Sequence, residues 1–557
     1  MSEATSTDEP EWPVYFANTW EEADRFAVAV LLLISIEKLG KEDSEWLLRF
    51  RESVFHHFDI TKIPALIEQE AILDVVFREL QENDEFVFET IASSLIPSYQ
   101  NPNDSKKDIR KEILSDFLMI CLGLFDTHQA KNSAEKSALG EHSKQENKVG
   151  EYDARSRSAI FAIAKLLQLP LEEVHYTEKR VSQELYFIKL SEQEIENNMD
   201  ETTKSTIASH SKKNKKWRWI ATGVSAVVGA TAIGLTGGLA APFVAAGISA
   251  LGLGSAAFLA STAGVAVITS LFGIAGGGLA GFKVTKRMRN LREFYFKPIS
   301  MTDPSLPAIP SLNATIVVSG YLRTLDDITV PWEQAFSNAK SHRDIFSLVF
   351  ESGELLSLGS AFDMFLATEA AKFAATETLK RTVMATLMAS MALPMSLIKA
   401  GDLIDNPWIV GIDRAKKAGL VLADVLTERI QGNRPASLVG FSLGALAIFE
   451  CLLELSKRKK YGLIDEVILL GAPISIDAKR WASATDVVSR RFINGYSTKD
   501  WVLGFLFRLH NLNLNAAGLE PVNVAGVESI DLTELVNGHN GYLDNLDEIL
   551  HYVKIDI

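Results

Sequence analysis

In Gly440-Phe441-Ser442-Leu443-Gly444 a serine stands between two glycines, each two residues away. A hydroxyl nucleophile on a sharp strand-to-helix turn requires this spacing, because glycines on either side let strand and helix approach without side-chain clashes. The context fits: the apolar "ASLV" precedes the motif and "ALAIFECLLEL" follows it. A tight turn without chemistry is the plain alternative. A serine hydroxyl is a weak nucleophile until an imidazole can take its proton, and the imidazole needs a carboxylate to fix its tautomer. In this arrangement the chain order is serine, acid, histidine.

Three histidines follow Ser442. His539, in the glycine-flanked loop "VNGHNGY" after the last expected strand, is the expected base; His510 follows a helix, and His551 falls late in the terminal helical stretch. Asp500 follows "RRFINGYSTK" and so projects from the C-terminal end of a strand, the edge where α/β sites assemble. Its rivals are Asp477 and Asp486, and Asp500 has a second reading as a helix N-cap before "WVLGFLFR". An oxyanion hole needs two backbone N–H donors. Leu443 supplies one, and "VVSGYL" supplies the other from Tyr321 or Leu322, a choice the sequence leaves open.

These residues need a sheet to hold them. After residue 300 the pattern becomes short β-rich runs at 314–322, 345–352, 436–441, 465–473, 490–497 and 521–530, separated by helical stretches such as "RAKKAGLVLADVLTERI". Strands apolar throughout and alternating with helices imply a mostly parallel sheet covered on both faces. Residues 300–557 therefore read as one α/β domain. An insertion ahead of Ser442 carries Met384, Met388, Met391 and Met395 at helical spacing, either core or the wall of an acyl-chain pocket.

Upstream, residues 1–200 read as a helical domain with a polar loop near 128–150, a surface available to a protein partner. Residues 212–290 read as a Gly/Ala-rich hydrophobic hairpin, since no charged side chain occurs from Trp219 to Phe282. That run is long enough for two spans of about 20 residues. Basic clusters flank it on both sides, Lys212 to Arg218 and Lys283 to Arg289, so an even number of crossings would leave both soluble parts facing the cytosol. A hairpin buried against protein is the alternative.

A length of 557 residues implies two or three domains, and a net charge of -15 argues against nucleic acid as a partner. Cys121 and Cys451 sit in apolar runs, as buried thiols of a reducing compartment do. No metal site and no cofactor is expected. The N-terminal "MSEATSTDEPEW" has the look of neither a secretory signal nor a transit peptide.

The motifs "YDARSR", "KKWRW", "TGGLAAPFVAAG", "RPASLVGFSLGA", "GAP", "NGYSTKDWVLGFLFR" and "GHNGY" resemble those of the transmembrane and coiled-coil domain-containing protein 4 family, across roughly residues 150–557. Leu446 stands where that family typically has an arginine. The resemblance implies an α/β-hydrolase fold and a membrane-associated, lipase-like or esterase-like activity. It also implies a triad on Ser442, Asp500 and His539 that needs no cofactor. The expectation is thus a serine hydrolase of a lipid ester at a membrane surface. The alternative is a membrane-anchored scaffold or trafficking adaptor that keeps the fold without the chemistry.

Overall fold

The computed structural model describes positions 25, 28, 29, 32, 46, 50, 53, 54 and 57 singly, and the stretches 109–122, 152–193, 291–299, 311–337, 343–374, 395–429, 432–510 and 515–555. The expected loop near 128–150, the charge-free run 219–282, and Met384, Met388 and Met391 lie outside the described residues. The chain divides into two compact units, one of residues 1–235 with 303–312, the other of 236–302 with 313–557.

In the first unit the described elements are helices: α1 (Ile109–Cys121), α2 (Ala154–Leu166) and α3 (Leu171–Gln193). Asp153 starts α2 by accepting a hydrogen bond from the Arg155 amide at 2.8 Å. Glu178 on α3 is buried where α2 packs. It accepts hydrogen bonds from Tyr152 Oη at 2.9 Å and from Arg157 Nε at 2.8 Å.

Among its described residues the second unit holds a seven-stranded sheet in the order β1-β3-β2-β4-β5-β6-β7. Its strands are β1 (Phe294–Ile299), β2 (Ala314–Val318), β3 (Asp344–Phe350), β4 (Ala436–Phe441), β5 (Ile464–Leu470), β6 (Val488–Tyr496) and β7 (Val527–Asp531). All pairs are parallel except β1 with β3. This is an α/β fold with a mostly parallel, mixed sheet. Every residue of β2, β4 and β5 is buried, as expected of central strands covered on both faces.

The sheet begins before residue 300, with a strand the sequence reading did not name. "FYFKPI" carries Lys297 and Pro298, which disguise it; as an edge strand β1 can hold a proline at little cost to the ladder.

The described α-helices of this unit are α4 (Val330–Ala335), α5 (Ser352–Ala374), α6 (Met395–Thr427), α7 (Leu443–Lys457), α8 (Ala478–Thr485), α9 (Trp501–His510), α10 (Gly541–Asp544) and α11 (Leu546–Tyr552). Helix α6 starts well upstream of the stretch read as helical and includes Met395. From β2 the chain goes to β3 on one side and then to β4 on the other. The loops after β2 and β4 therefore leave the sheet side by side at a topological switch point, where α/β sheets open a crevice.

Candidate active site

Ser442 stands at the C-terminal end of β4, immediately before α7, with φ 54° and ψ -125°. A side chain in the left-handed region costs on the order of 1–3 kcal/mol and persists only where its surroundings impose it. Those surroundings are close. The Ser442 amide donates to Leu470 O at 2.9 Å, tying the turn to the end of β5. A Cβ on Gly444 would collide with the Val318 carbonyl, so only glycine lets α7 start against the end of β2. The glycine after the serine is thus required by backbone approach.

The other two residues arrive from the ends of later strands. Asp500 lies in the turn after β6, and His539 in the loop after β7, one residue beyond Gly538 with φ +83°. His539 Nε2 is 2.7 Å from Ser442 Oγ, and His539 Nδ1 is 2.6 Å from Asp500 Oδ2. All three side chains are buried. A carboxylate only accepts, so Nδ1 carries the proton towards Asp500 and the neutral ring presents Nε2 as acceptor for the serine hydroxyl. This is the geometry of an activated nucleophile.

The second reading of Asp500, as a helix N-cap, has its own contact beside the one to His539: Oδ1 accepts the Leu503 amide at 3.0 Å at the start of α9. The rivals sit elsewhere. Asp477 caps α8 through the Lys479 and Arg480 amides, Asp486 ends that helix, His510 is the last residue of α9, and His551 is exposed on α11.

The loop after β2 reaches the serine turn from the other side. A Cβ on Gly320 would collide with Phe441 O and Leu443 N, so this glycine lies directly against the start of α7. Leu443 heads that helix, where first-turn N–H groups have no intrahelical acceptor. The expectation for Leu322 is corrected: its amide donates to Leu355 O at 3.1 Å and is not free for a substrate oxygen. Among the described residues the Tyr321 amide has no backbone acceptor.

Aromatic rings enclose the imidazole. Phe362 on α5 meets it edge-on at 5.4 Å, with Tyr321 at 5.6 Å and Tyr542 at 5.9 Å. Trp408 on α6 backs Phe362 at 6.3 Å. Burial pushes the Tyr321 hydroxyl well above the ordinary phenol range, so it stays a donor, and it bonds to His539 O at 3.4 Å. Sequence reasoning gave no role to Phe362 and Trp408, which carry no motif, nor to Tyr542, which closes the "GHNGY" stretch. It also passed over Asp327 in "TLDDI", where the Thr324-x-x-Asp327 capping box was a usable signal.

Among the described residues no group of three or more His, Cys, Asp or Glu side chains is arranged to hold a metal ion. No described helix is long and apolar enough to cross a membrane. Burial raises the pKa of both thiols, Cys121 and Cys451, as suits inert core residues.

A family described as "protein of unknown function (DUF726)" matches residues 213–556. The chain belongs to this family. It is similar to the transmembrane and coiled-coil domain-containing protein STS1 of Oryza sativa subsp. japonica, 37% identical over 73% of this chain and 61% of the rice protein. An uncharacterized membrane protein of Caenorhabditis elegans is 38% identical over 73% of this chain and 64% of its own length. The probable lipase MIL1 of Saccharomyces cerevisiae is 36% identical, over 73% of this chain and 37% of its own length. The chain thus spans less than two thirds of each of these relatives. No solved structure matches it.

Proposed function

We propose that this chain is a serine hydrolase of the α/β-hydrolase fold, cleaving a lipid ester at a cytosol-facing membrane surface. One observation carries the reading: Ser442 Oγ, the His539 imidazole and the Asp500 carboxylate form a buried hydrogen-bonded line at 2.7 and 2.6 Å. The forced φ of 54° at the serine supports it, as does the strand order, which brings the loops after β2 and β4 together.

In the proposed reaction Ser442 Oγ attacks the ester carbonyl while His539 Nε2 takes the hydroxyl proton. Asp500 holds the ring and stabilises the imidazolium. The carbonyl oxygen becomes an oxyanion facing the Leu443 and Tyr321 amides. His539 then returns the proton to the departing alcohol, leaving an acyl group on Ser442. Water, deprotonated by the same nitrogen, releases the acid.

The lipid class draws support from the name of the yeast relative and from the rings about His539. Membrane association draws on the relatives named as membrane proteins and on the charge-free run with its basic flanks. In this reading residues 212–290 are the membrane hairpin, the helical part within 1–200 is open to a protein partner, and the region around 300–557 is catalytic.

The test is a fluorophosphonate probe applied to the full chain. Labelling that is lost in Ser442→Ala is expected; labelling that persists there would place the nucleophile elsewhere. Retention of the protein in the pellet after carbonate extraction is expected for an inserted hairpin.

A further inference from the structure

We propose that Asp327 is a positioning residue for the oxyanion hole, a role that rests on the hydrolase reading. The loop from Ser319 to Asp327 must present one amide to a substrate oxygen, although each of its N–H groups is a donor of similar strength. Three neighbouring amides are otherwise engaged. Leu322 donates to Leu355 O at 3.1 Å, and Arg323 and Thr324 both donate to Asp327 Oδ2, at 2.7 and 3.0 Å. The Tyr321 amide, directly ahead of these three and next to Gly320, has no backbone acceptor among the described residues.

A single buried carboxylate oxygen therefore fixes the turn directly after that amide. The same residue is held from the other side, since Ser319 Oγ donates to Asp327 O at 3.1 Å while accepting Trp332 Nε1 at 3.0 Å. Gly320, between these anchors, is pressed against Leu443 N. Asp327 thus sets the separation of the two amides that would share the oxyanion.

The reach of this residue extends to the base. Asp327 Oδ2 lies 3.9 Å from Arg323 Nε, and the Arg323 guanidinium donates to Asp544 Oδ1 at 2.7 Å. Asp544 ends α10, the short helix that begins two residues after His539. Tyr321 Oη, on the other side of the loop, bonds to the His539 carbonyl. Hole and imidazole are referenced to one another through this loop, and Asp327 is its keystone.

A local turn cap with no bearing on catalysis predicts lower stability and nothing else. A positioning role predicts a loss of transition-state stabilisation in protein that is still folded. The experiment measures kcat and KM for a short-chain p-nitrophenyl ester, with inhibition by a trifluoromethyl ketone, whose hemiketal oxyanion needs the hole.

Asp327→Ala is expected to lower kcat by roughly ten- to a hundredfold, with KM within about threefold and ketone inhibition weakened in parallel. Asp327→Asn keeps an acceptor oxygen and should recover kcat to within about fivefold. Should the alanine variant not fold, Asp327→Leu, similar in size and without an acceptor, takes its place and is expected to show the same loss. Folded Ala or Leu variants with unchanged kcat, or with only KM raised, would overturn the role of Asp327 alone. Wild-type protein that neither turns over esters nor labels at Ser442 would overturn the hydrolase reading and this role with it.

Discussion

Asp500 Oδ2 and His539 Nδ1 are 2.6 Å apart, while the other oxygen of the same carboxylate caps α9 through the Leu503 amide. In the proposed mechanism Asp500 therefore has a catalytic contact and a structural one on separate atoms, and they can be separated by mutation. Asp500→Asn keeps an oxygen for the cap but favours the wrong imidazole tautomer. A fall in kcat of roughly 1,000- to 10,000-fold with a near-native unfolding midpoint is expected. Asp500→Ala should lose activity as well and, in addition, about 1 kcal/mol of cap stability in urea unfolding.

The positive φ at Ser442 sets stability against function. Ser442→Gly and Ser442→Ala both remove the proposed nucleophile, but only glycine adopts φ 54° without strain. The glycine variant is expected to be the more stable of the two by about 1 kcal/mol in chemical denaturation, with neither labelled by a fluorophosphonate. Equal stability would mean that the turn imposes no strain.

Much of the site was legible because its requirements are local. The two motif glycines, the apolar strand before Ser442 and the loop around His539 are each visible within a few residues. What was not legible depends on packing between distant segments. Phe362 and Trp408 belong to helices whose patterns say only that one face is apolar, and nothing in the chain says that this face meets an imidazole. Leu322 and Tyr321 were interchangeable until the Leu355 carbonyl, 33 residues on from Leu322, engaged one of the two amides. The strand "DEVILLGAP" also concealed a cost: Asp465 and Glu466 at its head are wholly buried, held by Arg490 at 3.0 and 3.1 Å. Edge strand β1 escaped because polar residues and a proline mask its alternation.

Gly320 carries a third prediction. In Gly320→Ala the added methyl would meet Phe441 O and Leu443 N, both backbone atoms that cannot swing aside. Either the loop after β2 or the start of α7 must retreat, which should cost about 1–3 kcal/mol of stability and widen the oxyanion hole. The rate of fluorophosphonate labelling at Ser442 is expected to fall at least tenfold in the fraction that remains folded. Gly353, where a Cβ meets nothing in the first turn of α5, is the control: Gly353→Ala should leave the labelling rate unchanged and cost no stability, raising it by about 0.5 kcal/mol instead.

A fourth prediction concerns the first unit and its response to acid. Burial alone would raise the Glu178 carboxyl, but the Arg157 guanidinium hydrogen-bonded to it, with the His175 ring 3.8 Å away, outweighs burial and holds it at about 2, below the ordinary 4.5. A group depressed in the folded state stabilises the fold above its unfolded value and loses that contribution as pH falls through its folded value. The window is therefore pH 4.5 down to about 2, and the contribution at stake is roughly 3 kcal/mol. Hydrogen exchange, corrected for the intrinsic rate, should show peptides of α2 and α3 losing protection between pH 5 and pH 2. Glu178→Gln leaves Arg157 buried beside a neutral partner, so those peptides should be less protected at pH 6 and change less across the same window. Protection in the wild type that stays flat down to pH 2 would show that the Glu178 and Arg157 pair does not hold this unit together.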